Sequence, residues 1–415
     1  MKVYAILRAA LISTAVCLGI SSGVSGVLGQ DVGADVGGGA GIFRAKNPET
    51  KRRAKPATPV TKPSNRTSSR TTRASNSSIE DRVEELLDKG NEFRDNRRFL
   101  EAEESYQSVL KLKPRDARGA YGLGNVYSDQ QRWENAEAAY RNAVQWAPAD
   151  ADALVALSVV LVQPRAGGDN ARRLADAEGF ARRAVQIQPK NAVAWDRLGV
   201  ALQTRGLFNS ETEHSYRRAI ELDPQFAVAY AHLARVVKRT GHPEEAGPLY
   251  EKAVELAKEP ATLNLIAESL QSEQQWERSE PVLKRALTLD ARNPTALILI
   301  GKLLIVYQRY QEAEPYLKTA TEVSSHAFQP FNLLGRAYLA MDRLAEAEET
   351  YERAATFASP GDRKQLAGIF GFEGVGDGYT KTKQKENAAR AYQRAVELDP
   401  GNKTLEQKLS KARSR

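Results

Sequence analysis

A period of 34 residues constrains this chain more than any other feature. Pro114 and Pro148 stand 34 apart, as do Tyr106 and Tyr140, Tyr216 and Tyr250, Gly301 and Gly335, and Ala286 and Ala320. A repeat of that length is one supersecondary unit, too small to bury its apolar face alone, so it must stack on its neighbours. In phase, nine units start near Val83, Ala117, Ala151, Ala192, Ala227, Pro260, Pro294, Phe328 and Ile369. Each holds two amphipathic helical patterns around a short polar turn, as in AYGLGNVYSDQQRWENAEAAYRNAVQWAP. The two or three globular domains ordinarily expected of 415 residues give way to one elongated helical array over 79–402.

Within a unit the small and large positions recur. The eighth place holds Gly90, Gly124, Gly199, Gly301, Gly335 and Gly376, with Ser158, Ala234 and Ala267 in the other units. Opposite it stand Ala102, Ala136, Ala177, Ala246, Ala313, Ala347 and Ala388, and an aromatic knob follows at Tyr106, Tyr140, Tyr216, Tyr250, Tyr351 and Tyr392. Pro114, Pro148, Pro189, Pro224 and Pro400 end second helices, because proline cannot continue a helical ladder. This pattern resembles the tetratricopeptide repeat family. The resemblance implies an all-α fold, a right-handed superhelical solenoid of about nine helix-turn-helix units. TLEQKLSKARSR near the C-terminus, in 403–415, reads as the polar capping helix such arrays need.

Departures from the period locate irregularities. The third unit is seven residues longer, with Pro164 to Asn170 as the extra material between its helices. Asp362 to Gly368 lengthens the approach to the ninth. Leu283 and Leu317 replace the aromatic knob in the sixth and seventh units.

Charge is distributed unevenly. The net +8 divides into +9 over residues 1–78 and −1 over the remainder. Lys2 and Arg8, an apolar centre from Ala9 to Ile20 and a small-residue stretch match a secretory leader over 1–29, cleaved between 22 and 30. An uncleaved anchor is the alternative; Thr14 and Val16 fit a lipoprotein signal at Cys17 poorly. The expected location is therefore the periplasm, the cell envelope or outside the cell. Residues 30–78 are Gly-rich and then basic, with little that is apolar, and they predict a disordered tether. Its basic part, 44–73, is a candidate contact for an anionic envelope surface. Phe43 is its one aromatic, so nucleic acid is not an expected partner.

No phosphate loop, zinc-protease motif or nucleophile elbow occurs, and no catalytic, cofactor or metal residues are assigned. Gly371, Gly374, Gly376 and Gly378 mimic a nucleotide loop, but no strand precedes them and Gly376 falls on the repeat's small position. Fifteen residues follow Pro400, so no catalytic domain is expected after the array. In the family, first helices line a concave groove that receives a peptide or partner helix. Carried over by position, the groove residues are Asn91, Arg118, Tyr121 and Asn125, apolar Val155, Val159 and Val162, then Asp196, Arg197 and Gln203. Arg235, Lys238 and Arg239 follow beside His232, then Asn264 and Glu268, Lys302, Asn332 and Arg336, and Glu373 and Asp377. Leu87 and Tyr121 stand where a chaperone-tail clamp wants lysine. Basic and amide groups suit an acidic or carboxylate-bearing segment. The expected function is a non-enzymatic scaffold or adaptor in the cell envelope. The alternatives are a polyanion-tethering protein acting through its basic linker, or an accessory subunit of an envelope complex.

Overall fold

A computed structural model describes residues 44–50, 70–163 and 170–414. The leader, the glycine-rich stretch, most of the basic linker and residues 164–169 of the insertion lie outside the described residues. Among the described residues there is no strand, and the chain is an all-α solenoid of paired helices. It divides into two compact units, one extending to Leu256 and one from Ala257 onward.

The first unit pairs α1 (Arg70–Asp95) with α2 (Phe99–Leu112), α3 (Ala117–Asp129) with α4 (Trp133–Trp146), and α5 (Ala151–Leu161) with α6 (Asn170–Ile187). It continues with α7 (Ala192–Thr204), α8 (Ser210–Leu222), α9 (Ala227–Thr240) and, after a short 3-10 turn, α10 (Ala246–Leu256). The second pairs α11 (Pro260–Ser272) with α12 (Trp276–Leu289), α13 (Pro294–Val306) with α14 (Tyr310–Val323), and α15 (Phe328–Ala340) with α16 (Leu344–Ala355). It ends with α17 (Pro360–Ala367), α18 (Phe372–Lys381), α19 (Lys385–Leu398) and α20 (Lys403–Arg413).

Local chemistry explains the pairing. First helices open on a side chain that accepts from the helix N-terminus: Asp116, Asp150, Asn191 and Asn293. Such caps satisfy N–H groups that have no partner inside the helix. Between the two helices of a unit one residue turns left-handed, with φ of 57–60° at Arg97, Gln131, Gln274, Gln308, Asp342 and Lys383. Gly206 and Gly241 supply that conformation in the α7–α8 and α9–α10 connections. An arginine then staples second helices together: Arg309 bonds Glu280 one unit back and Glu312 on its own helix, and Arg343 repeats this with Glu314 and Glu346. These pairs set basic side chains against acidic ones along the array.

The small eighth position exists to seat the knob. A Cβ at Gly124 would lie 2.5 Å from the Tyr140 ring, and at Gly335 2.5 Å from Tyr351. Where leucine replaces tyrosine the same contact persists, Gly301 against Leu317.

Three places differ from the sequence-based expectation. The helix of the first unit starts at Arg70, not near Val83. Residues 44–50 are not a free tether but lie against the first helices, as described below. The segment before the ninth unit, read as a lengthened approach, forms α17, closed by a reciprocal cap between Ser359 and Asp362. The N-terminal cap stabilises a helix of this length, and its buried Leu366 and Ala367 hold it against the array.

Candidate functional site: a peptide groove on the first helices

The aromatic knobs also orient the groove. Burial raises the pKa of the Tyr106 and Tyr140 phenols, so both stay protonated and donate. Tyr106 donates to Asn91 Oδ1 and Tyr140 to Asn125 Oδ1, each at 2.8 Å. With its oxygen held from behind, each amide presents its NH₂ group to the groove.

Those NH₂ groups grip the chain's own segment Arg44–Thr50. Asn125 Nδ2 donates to the Lys46 carbonyl at 2.7 Å and Asn91 Nδ2 to the Pro48 carbonyl at 3.1 Å. Between them lies Arg94, 1% exposed. Its Nε and Nη2 donate to the Asp129 carboxylate at 2.8 and 3.1 Å, while Nη1 donates to the Ala45 carbonyl at 2.7 Å and to Asn47 Oδ1 at 3.0 Å. Burial opposes the Arg94 charge, but the bond and charge of Asp129 outweigh it and leave its pKa above the ordinary value. The segment is also read by its side chains. Arg44 pairs with Asp95 and Asp129 at 3.4 Å and donates to the Arg94 carbonyl, and Asn47 Nδ2 donates to Asp95 at 3.0 Å. Ala45 is buried in the apolar cluster that contains Ala120, Tyr121, Tyr140 and Val155, and Pro48 is buried as well.

The other groove positions are spent differently. Arg118 turns to Glu84, Glu80 and Asp116. Tyr121, Val155, Val159 and Val162 are buried in the core, so the apolar patch expected at the third unit is packing rather than open surface. Asp196 and Arg197 are buried together at 3.1 Å, and Asp196 accepts from His232 Nδ1 at 2.8 Å. Burial lowers the His232 pKa below 6.5, helped by Arg197 and Arg235 against the pull of Asp196, so the ring is neutral near pH 7. Burial would raise Asp196, yet His232 and Arg197 hold it below its ordinary value. Gln203 is buried too and accepts from Tyr216. Arg235 is half-buried, Lys238 is exposed, and exposed Arg239 lies 3.8 Å from the Phe208 ring centre.

In the second unit Asn264 is buried and donates to Asn293, the cap of α13. Lys302 is half-buried near Trp276. Asn332 is 4% exposed with its Oδ1 unsatisfied, and Arg336 lies 5.1 Å from the Phe370 ring centre. Tyr351, facing an arginine where other units have an amide, donates instead to the Phe370 carbonyl. Asp377 receives Tyr392 and Lys408, and Glu373 receives Lys408 from α20.

Sequence position located Asn91 and Asn125 but not Arg94, Asp95 or Asp129. The recurrent 15-residue step from amide or acid to knob, Asn91 to Tyr106, Asn125 to Tyr140 and Asp377 to Tyr392, marks the groove amides but none of Arg94, Asp95 and Asp129.

Comparison with known proteins agrees with this architecture. Two family models, each described as tetratricopeptide repeat, match residues 87–153 and 301–363, and residues 227–260 and 375–402. The chain carries tetratricopeptide repeats. Among solved structures, a crystal structure of MamA shares 23% identity over 40% of this chain and 93% of its own, with a TM-score of 0.35. TTC0263, a thermophilic TPR protein of Thermus thermophilus, shares 21% over 46% and 99%, with a TM-score of 0.39. No curated protein matches the chain. Proteins built of these repeats are in general interaction scaffolds without catalysis.

Proposed function

We propose that this chain is a non-enzymatic scaffold that holds a short non-helical segment of a partner protein in the groove of its first repeats. The observation that carries the reading is the seating of Arg44–Thr50, with three main-chain carbonyls gripped by Asn91, Arg94 and Asn125. Main-chain capture gives affinity for any non-helical segment, and the acids around Arg44 bias it toward a basic one. The occupied part of the groove thus favours a different charge from the acidic segment anticipated from the basic and amide groove positions. An acidic segment suits the exposed Lys238 and Arg239 instead.

A peptide array tests this. Immobilised nine-residue peptides, with FRAKNPETK among them, are probed with the native chain and with Asn91→Ala/Asn125→Ala. Capture that is lost in the variant, with helical circular dichroism unchanged, is the expected result. Equal capture by both overturns the groove. Retained capture of acidic peptides after charge reversal at Lys238 and Arg239 removes that second contact. The secretory features of residues 1–29 support action in the cell envelope, and N-terminal sequencing of the exported protein checks it; a mature start at Met1 counts against it.

A further inference from the structure

The groove of the first repeats is a built site whose present occupant is part of the same chain, and that arrangement has a regulatory meaning. We infer that residues 44–50 are a tethered gate: the groove is a receptor for segments of basic–small–any–Asn–Pro chemistry, kept closed in cis until a partner segment of the same chemistry displaces it. The inference rests on the scaffold reading proposed above and adds the ligand's chemistry and its regulation.

Four features carry it. Arg94 is almost fully buried, and its Nη1 donates to the Ala45 carbonyl and to Asn47 Oδ1, both of which belong to the segment. The seated segment itself completes that burial, so its departure takes two acceptors from the guanidinium, and a segment that refills both positions is favoured over one that cannot. Second, recognition extends to side chains. Asn47 is matched on both faces of its amide, by Arg94 and by Asp95, and Arg44 meets Asp95 and Asp129. Third, the two buried positions are Ala45 and Pro48; proline has no N–H, so its burial leaves no main-chain donor unmet.

Fourth, the contact surface is small. Seven residues held by a few hydrogen bonds bind weakly as a free peptide, yet the tether changes the equilibrium. Nineteen residues separate Thr50 from Arg70. A connection of that length gives an effective concentration of about 1 mM. Against an intrinsic Kd of about 10–100 µM, it closes the groove and weakens any competitor by roughly ten- to a hundredfold. A weak cis segment can therefore be displaced by a partner, whereas a tight one could not.

Fluorescence anisotropy on the full chain tests the gate, with fluorescein-labelled FRAKNPETK (residues 43–51) as probe. Two variants eject the segment: Ala45→Glu/Pro48→Glu, which breaks its buried contacts, and Arg44→Glu/Asn47→Leu, which breaks its polar ones. Both are compared with the native chain after circular dichroism shows equal helicity. The expected result is roughly ten- to a hundredfold tighter binding by both variants than by the native chain. Binding should be lost when Asn91→Ala/Asn125→Ala is added and weakened at least about tenfold for a probe carrying Asn47→Leu. Equally tight binding by native and ejected chains overturns the gate and leaves the scaffold reading standing. No binding by any chain overturns the groove, and the gate with it. A native dimer in sedimentation that dissociates in both ejected variants overturns the cis arrangement, because a second copy then supplies the segment.

Discussion

At the scale of single residues, the knob tyrosines Tyr106 and Tyr140 do two jobs with one side chain. The ring fills the space left by the glycine of the paired helix, and the hydroxyl fixes a groove amide 15 residues earlier. Gly124→Ala puts a methyl 2.5 Å from the Tyr140 ring, so the knob must shift. Overpacking of this kind costs about 1–3 kcal/mol, more than the roughly 1 kcal/mol of helix propensity that alanine gains. Urea unfolding should therefore show a net loss, and a rise in stability would refute the crowding. His232 gives a pH prediction. Its folded pKa is depressed, so the unfolded state binds the extra proton as pH falls below 6.5. Stability is full above that value and declines toward the folded pKa, before most carboxylates titrate near about 4. Melting temperatures between pH 7.5 and 5.5 should fall in the native chain and stay flatter in His232→Gln.

Helices and turns show how a tolerant repeat absorbs unlike sequences. Among the described residues, the turn inside every unit but the third takes one left-handed residue, which costs a non-glycine side chain about 1–2 kcal/mol. Gln308 adopts it at φ 58° while Gly206 and Gly241 adopt it freely. Gln308→Gly should raise stability by up to about 1 kcal/mol, the relief exceeding glycine's added unfolded-state entropy; an unchanged or lower melting temperature would contradict this. The C-terminal helix α20 buries Leu405 and Leu409 and sends Lys408 to Glu373 and Asp377. Leu405→Ala removes a side chain that is 1% exposed, at a cost of about 2 kcal/mol or more. Hydrogen exchange should quicken in α19 and α20 first, since stability in a repeat array is a sum of neighbour contacts.

For the molecule as a whole, the consequence concerns how the N-terminal segment meets the array. Peptide bonds after Arg44 and Lys46 are trypsin sites by sequence, yet the groove holds Ala45, just past the first bond, and the scissile carbonyl of Lys46 itself. Tryptic cleavage at these two bonds should be slower in the native chain than in Asn91→Ala/Asn125→Ala by several-fold, because cleavage of a docked segment follows its open population. Equal cleavage rates would mean that the segment is not held. The arginine staples are half-buried at the surface and still reached by water, so each contributes little on its own, and their role is to pair charge along the array rather than to carry its stability.

Legibility followed the range of the interactions involved. The helical solenoid was readable because a 34-residue period, small positions and knobs repeat along the chain, and every unit restates the same packing. Asn91 and Asn125 were readable as groove residues by their place in the unit. Composition marked residues 30–78 as unable to build a core of their own. It could not show that Ala45 and Pro48 borrow a core from the array, through hydrogen bonds spanning 43 to 79 residues of sequence. Likewise the net basic groove was a count of side chains, whereas Arg118 and Arg197 are consumed by acids beside them in space. Sequence by itself determined the repeating element and the places of its small and large packing positions. Tertiary structure alone decided which charges remain available and what occupies the groove, because both depend on partners that are distant in the chain and adjacent only once it is folded.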